Sequence, residues 1–401
     1  MIKGLKAREI LDSRGNPTVE VLLQTSEGTF VSSVPSGAST GSYEAKELRD
    51  NDKRFNGKGV LQAVENVNTK IRPLLIGKEV DAEKLDNLIL EADGTQDKSN
   101  LGANAILGVS MCLFRAEAKK EGVAFWNYLA SKFQFVSRIP QPCFNVINGG
   151  VHSGGGVSFQ EFMVVPQKAS FAENLRFATE TYYRLKHKLK EKYGEMAVNT
   201  GDEGGFVPPV NSSEEILEIL SEEDVPLIID AAATEFFKKE NYLLDGKSKS
   251  TKEMIELYRV LGDKYPLLGI EDPLEEEDFE GWSELTGSFD NIMIIGDDLL
   301  TTNTRRMEIA EEQKSCNAII LKINQIGSIS EAIGAARKAK EYGWKIIVSH
   351  RSGETNDDFI ADFSVGIGAE YIKSGAPARG ERVAKYNRLL KIEEEVKNKK
   401  N

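Results

Sequence analysis

The sequence predicts an α/β protein: a (β/α)8-type barrel preceded by a smaller α+β domain. Three observations predict it. The chain has 401 residues, more than one small core organises, and a barrel of roughly 250 residues plus a smaller domain fits that length. Beyond about residue 220 the chain repeats strand, loop and helix, as parallel barrels do. Before about residue 130, strands come first and helices cluster after them, which marks an α+β unit. The expected domains are 1–130 and 138–401. The boundary falls near Ser131–Gln141, where Pro140 and Pro142 flank the next segment.

In the first domain, Val19–Gln24 and Thr29–Val34 are β-rich runs joined at the turn Ser26-Glu27-Gly28. A small-residue loop follows, Pro35-Ser36-Gly37-Ala38-Ser39-Thr40-Gly41. Val60, Val64, Val67, Ile71, Leu74 and Leu75 share one helical face, and Leu101–Lys120 is a second helix rich in Ala and Leu. In the second domain the predicted strands are Pro226–Asp230, Leu267–Glu271, Ile292–Asp297, Ala318–Lys322, Lys345–His350 and Glu370–Lys373. They are apolar runs, as strands buried on both faces must be. Ser328-Ile329-Ser330-Glu331 has the pattern of a capping box at a helix start.

Each apolar run ends on a residue able to do chemistry: Asp230, Glu271, Asp297, Lys322, His350, Lys373. From Glu271 on, the intervals are 26, 25, 28 and 23 residues, about one strand–helix unit each. In a barrel the C-terminal strand ends meet at one face, where active sites sit. A single polar strand end means little, because strands leave the core there anyway. Six in one pattern point to a shared pocket.

Composition narrows the function classes. Hydrophobic residues make 40% and charged residues 28%, which is ordinary for a globular protein. The net charge of −12 with interspersed signs argues against nucleic acid as the main partner, since phosphate backbones need a basic face. Three scattered cysteines form no zinc or CxxC pattern and suit a reducing cytosol. The N-terminus shows no apolar signal region, and no run reaches a membrane span. A cytoplasmic location is expected.

Crowding Asp230, Glu271 and Asp297 is unfavourable unless a cation neutralises them. An all-oxygen set favours Mg²⁺, the alternative being pairing with Lys or Arg. Lys322 is either a base, with its pKa lowered by a metal and by Lys373, or an ion-pair partner of those carboxylates. Arg351 with Ser352, in a loop late in the barrel, suits a phosphate-like anion; a polar surface loop is the alternative. Asn148–Gly156 holds His152 among five glycines and could close over a ligand. Gly201-Asp202-Glu203-Gly204-Gly205 sets two carboxylates between glycines, which a simple turn also explains. His187, the remaining histidine, lies on a Lys-rich helical stretch and reads as a surface residue.

Taken together, these segments resemble the enolases, from Ala7–Glu20 to Lys391–Glu395 and so over nearly the whole chain. The motifs that carry the resemblance are the Ser36–Gly41 loop, Gln160-Glu161-Phe162, Gly201–Gly205, Glu271-Asp272-Pro273, Asp297-Asp298-Leu299, Lys322–Gly327, Ser349–Thr355 and Lys373-Ser374-Gly375. The resemblance implies a TIM barrel of enolase strand order and reversible dehydration of 2-phospho-D-glycerate to phosphoenolpyruvate. It implies two Mg²⁺ ions per site, the second arriving with substrate. Asp230, Glu271 and Asp297 would hold the first and Ser39 the second. Lys322 would be the base and Glu203 the acid. Glu161, His152 and His350 would line the site, Gln160 and Lys373 would contact substrate, and Arg351 and Ser352 would hold its phosphate.

Some positions depart from the family pattern: Ser153, Asn356, Thr234 and Gly380 stand where Ala, an acid, Ser and Ser are usual, and the segment between Phe237 and Thr251 is short. The resemblance also implies a homodimer or octamer. Its usual contact pairs Glu20 with an Arg, where this chain has Lys391, and Lys cannot make the two-pronged bond. Two other readings compete. A sugar-acid lyase or racemase would favour a Lys-x-Lys strand, whereas this chain has Lys322-Ile323-Asn324. A surface-displayed binding protein on the same fold would not need every catalytic residue; such display as a secondary role stays open.

Overall fold

The computed structural model describes residues 1–37, 41–150 and 156–400, with side chains to residue 398. Three strands open the chain: β1 (Ile2–Leu11), β2 (Pro17–Thr25) and β3 (Gly28–Ser33), an antiparallel meander in the order 1-2-3. One face of this sheet packs on the helix Ala103–Lys120, which is buried along almost its whole length. The same helix also touches the helix Ile329–Glu341 of the barrel, so a residue set rich in Ala and Leu is apolar all round for a reason.

The second unit is a closed eight-stranded barrel. Its strands are β4 (Gln141–Asn148), β5 (Glu161–Val164), β6 (Leu227–Asp230), β10 (Leu267–Glu271), β11 (Met293–Gly296), β12 (Ala318–Leu321), β13 (Lys345–Ser349) and β14 (Tyr371–Lys373). Between β6 and β10 the short segment forms a separate small sheet of β7 (Phe237–Lys238), β8 (Asn241–Leu244) and β9 (Lys247–Lys249). All six predicted barrel strands are present. The barrel is not a simple alternation, because β5 runs antiparallel to both β4 and β6. The first residue of β5 therefore lies at the same mouth as the last residues of the others.

Period-2 geometry sets what reaches that mouth. Cys143, Met163, Ile228, Met293, Ile295, Ala318, Ile320 and Ile347 form a separate buried cluster, the barrel lumen. Continuing each alternation outward gives Glu161, Asp230, Asp297 and Lys322, and β14 adds Lys373 two residues after Tyr371, which packs on that cluster. On β10, a register shift between Leu267 and Gly269 restores the parity, so Glu271 also faces in. His350 breaks the expected pattern. Lumen parity on β13 falls on Ser349, and His350 turns the other way.

The domains are joined by buried polar links. Arg115 makes a two-pronged pair with Asp357, at 2.9 and 2.7 Å. Asp86, on the helix Ala82–Asp93, accepts from Ser110 Oγ at 2.7 Å, Ser330 Oγ at 2.8 Å and Ser330 N at 3.1 Å. Burial pushes the Asp86 carboxyl up to about 6, and these hydrogen bonds offset only part of that. Its folded pKa is thus raised above the unfolded one. The stability it contributes is complete below about pH 4 and lost as pH rises through about 6, roughly 3 kcal/mol in all. Asp86→Asn is expected to flatten the dependence of unfolding free energy on pH between those limits, as read by urea titrations. An unchanged slope would contradict this.

Candidate active site

Two lysines organise the mouth of the barrel. Lys373 Nζ lies 2.8 Å from both oxygens of Glu271, 3.1 Å from Glu161 Oε2 and 3.5 Å from Asp230 Oδ2. All four groups are buried. Burial works against the charge on Lys373, but Glu161, Glu271 and Asp230 outweigh it and hold its pKa well above the usual lysine value. Lys322 Nζ is paired with Asp297 Oδ2, whose other oxygen accepts Gln325 Nε2 at 2.9 Å. Gln160 Nε2 donates to Asp230 Oδ2 at 3.4 Å.

The cleft between these groups is lined by Gln160, Glu161, Glu203, Asp230, Lys322, Ser349, His350, Arg351, Ser352 and Lys373. The structure thus brings together nine of the expected site residues. Glu271 and Asp297 stand just behind the wall through their lysine contacts. Ser39 and His152 lie outside the described residues. His187 is exposed, as its setting predicts.

Three expectations need correction or sharpening. First, burial would lower the Lys322 pKa, but the carboxylates around it, Asp297 foremost and Glu271 with it, hold it above the ordinary lysine value. Arg351 and Lys373 do act to lower it, as expected of neighbouring cations, but in the protein alone the carboxylates outweigh them. Second, Arg351 is not an open anion clamp. Its guanidinium meets Glu44 with two prongs, 2.9 and 3.1 Å, and Asn324 Oδ1 at 3.0 Å. Third, the three carboxylates within common ligand distance among the described residues are Asp272, Asp297 and Asp298, all within 4.8 Å. Asp272 is a poor ligand, since its two oxygens accept the N–H groups of Asp297 and Asp298 at 2.9 and 2.8 Å.

Could Asp230, Glu271 and Asp297 hold a divalent cation? The charge balance fits one. Glu161, Glu203, Asp230, Glu271 and Asp297 are buried carboxyls around two lysines. Burial and Asp230 push Glu271 well above the usual carboxylate range, and burial and Glu203 do the same to Glu161. Carboxyls pushed up by one another's charge mark an excess of negative charge, and the donors are all oxygen, which hard cations prefer.

Sequence reasoning missed two supports. Glu44 follows the small-residue loop, and nothing in local pattern marks it. Arg382 is fully buried on the helix Gly380–Lys400, on the same face as Tyr386 and Leu389. A cation within an apolar helical stripe was the available signal.

Fold and site together define a two-domain barrel enzyme whose acid–base groups and clustered carboxylates converge from strand ends on one mouth. Family models agree over both domains: "Enolase, N-terminal domain" matches residues 2–129 and "Enolase, C-terminal TIM barrel domain" matches residues 136–401. Among curated relatives, the chain is 49% identical to the enolase of Methanocaldococcus jannaschii over 98% of this chain and 95% of that one. It is 50% identical to the enolase of Thermococcus gammatolerans, with the same coverage. It is 51% identical to the enolase of Mastigamoeba balamuthi, over 98% of this chain and 96% of that one. The chain belongs to the enolase family. It is accordingly a metal-dependent carbon–oxygen lyase of the hydro-lyase type. No helix among the described residues is long and apolar enough to cross a membrane.

Proposed function

We propose that the protein interconverts 2-phospho-D-glycerate and phosphoenolpyruvate in glycolysis and gluconeogenesis, in the cytoplasm, with Lys322 as base and Glu203 as acid. The observation that carries the reading is the convergence of Lys322, Glu203, Arg351 and Ser352 on one cavity beside the carboxylates of the lumen. Asp230, Glu271 and Asp297 are the residues that would hold a first Mg²⁺, and Ser39, outside the described residues, would serve a second. Bound there, the ions would stabilise the extra negative charge that builds on the substrate carboxylate when its α-proton leaves.

The protein's own groups divide the remaining work. Lys322 takes the α-proton at Nζ. To do so it must first be neutral, and its present partner Asp297 opposes that. Were Asp297 to serve as a metal ligand, its hold on the Lys322 proton would weaken, which would link metal occupancy to base strength. Glu203 gives a proton to the departing hydroxyl, and dividing the roles lets one group be neutral while the other is protonated. Arg351 and Ser352 bind the phosphate, with Glu44 orienting the guanidinium that does so. That guanidinium must share or exchange Glu44 when the anion arrives.

Assembly as a homodimer or octamer belongs to the same proposal. In the chain itself Glu20 is engaged by Arg8 at 2.6 Å, and Lys391 is exposed.

The test follows ultraviolet absorbance of phosphoenolpyruvate with Mg²⁺ and with excess chelator. Turnover is expected with Mg²⁺, to be lost on chelation and to return when Mg²⁺ is restored. Undiminished turnover under chelation, or none with Mg²⁺ present, would sink the proposal.

A further inference from the structure

Arg382 occupies an unusual place for a charged side chain. It is wholly buried, and it reaches three segments of the site at once. Nη1 donates to the carbonyl of Arg351 at 2.6 Å, and Nη2 donates to the carbonyls of Ser352 at 2.6 Å and Asp202 at 3.0 Å. Nη2 also lies 3.4 Å from Ser13 Oγ, and Nε lies 3.3 Å from Glu381 Oε1. One further contact is not needed to brace loops: Nη1 sits 2.6 Å from Nδ1 of His350.

That contact fixes chemistry. A guanidinium carries only donors and does not lose its proton in proteins. A ring nitrogen 2.6 Å from it must therefore accept, so Nδ1 carries no hydrogen. In a neutral imidazole the proton then resides on Nε2. His350 Nε2 lies 3.1 Å from Glu203 Oε2, though not well aligned with it, as is common before substrate tightens a site. Asn145 Nδ2 donates to the same oxygen at 3.1 Å.

We propose that Arg382 is a positioning residue that holds His350 as the neutral tautomer with its proton on Nε2, and so presents a second donor to Glu203 Oε2. The inference rests on Glu203 being the acid. With Asn145 donating to Oε2 and the Nε2 proton of His350 beside it, Oε2 is left as an acceptor in this arrangement. The carbonyl of Asp202, held by the same guanidinium, keeps the loop carrying Glu203 in register with the ring. Ionic surroundings agree. Burial holds the His350 ring down to about 3, Arg382 and Lys373 adding to this and Glu203 opposing it, which favours the neutral ring that the geometry requires.

The test is nitrogen-15 spectroscopy of the full chain labelled at histidine. There are three histidines, and the spectrum of His350→Gln identifies the signals of interest. The wild type is expected to show a protonated Nε2 and a bare Nδ1, with no titration through the neutral range. In Arg382→Met, Nδ1 should gain proton character or the ring should begin to titrate toward the ordinary histidine range, with kcat lowered about tenfold or more and KM little changed. Lys385→Met is the comparison. It removes another buried cation of the same helix, whose Nζ bonds Glu354 Oε2 at 2.6 Å and the carbonyl of Thr355 at 2.7 Å. It should lower stability and leave the ring tautomer as it is. A wild-type ring protonated on Nδ1 overturns the proposal, and so does a folded Arg382→Met whose tautomer, titration and kcat are unchanged. If Arg382→Met does not fold, the wild-type spectrum decides alone. The expected tautomer in a protein without dehydratase activity would count against the functional assignment and leave the placement of Arg382 standing.

Discussion

Replacing Lys322 with Met is expected to lower kcat by about 10³-fold, within the 10²–10⁴ that a positioned acid or base typically supplies. KM should change little, since an interaction made only in the transition state is the one removed. Met preserves the length and apolar stem of the side chain, so the lumen above Ile320 stays filled. The cost falls on Asp297, which loses its lysine partner and keeps Gln325 Nε2 at 2.9 Å. Part of any loss could therefore be structural. Steady-state kinetics should accordingly be read beside a denaturation curve taken with Mg²⁺ present. A folded Lys322→Met with near-normal kcat would remove the base from the account.

Lys373→Met should show the second large effect, in stability. Lys373 is the shared partner of Glu161, Asp230 and Glu271, each buried. Removing one member of such a buried network leaves uncompensated charge, typically a loss of about 3–5 kcal/mol. The carboxylates can relieve this by binding protons or a divalent cation. Urea titrations of wild type and variant, each in Mg²⁺ and in chelator, are expected to show the full loss in chelator and a clearly smaller one in Mg²⁺. Equal losses in both media would mean that these carboxylates do not share a cation.

How much of this was readable in the chain depends on the burial of each strand. β6, β10, β11, β12, β13 and β14 are covered on both faces, so they stand out as apolar runs. β1 was missed because its outer face is exposed and charged, with Lys3, Lys6 and Arg8 interrupting the pattern. β4 was hidden by Pro142 near its start, and β5 is only four residues long. The direction of β5 cannot be read from periodicity at all. That direction is why Glu161 stands at a strand start and still shares the mouth with Asp230, its register partner.

The site was legible to the extent that side-chain parity follows strand position. Counting strand ends found Asp230, Glu271, Asp297, Lys322 and Lys373, all of which the alternation turns inward. The same counting brought His350 to the shared cavity, which it lines, although Ser349 has the lumen parity, since parity reverses with each step along a strand. Long-range pairing was out of reach. That Asp297 would hold Lys322 protonated, or that Glu44 would take both prongs of Arg351 across 307 positions of sequence, depends on distances a pattern does not contain.

If Lys322 removes the proton next to the substrate carboxylate, as proposed, hydrogen exchange at that carbon depends on it. 2-Phospho-D-glycerate is incubated with enzyme and Mg²⁺ in deuterium oxide, and recovered substrate is analysed for deuterium. Incorporation at the α-carbon is expected with the wild type and none above the enzyme-free rate with folded Lys322→Met. Exchange that persists in that variant would contradict the account and place the base elsewhere.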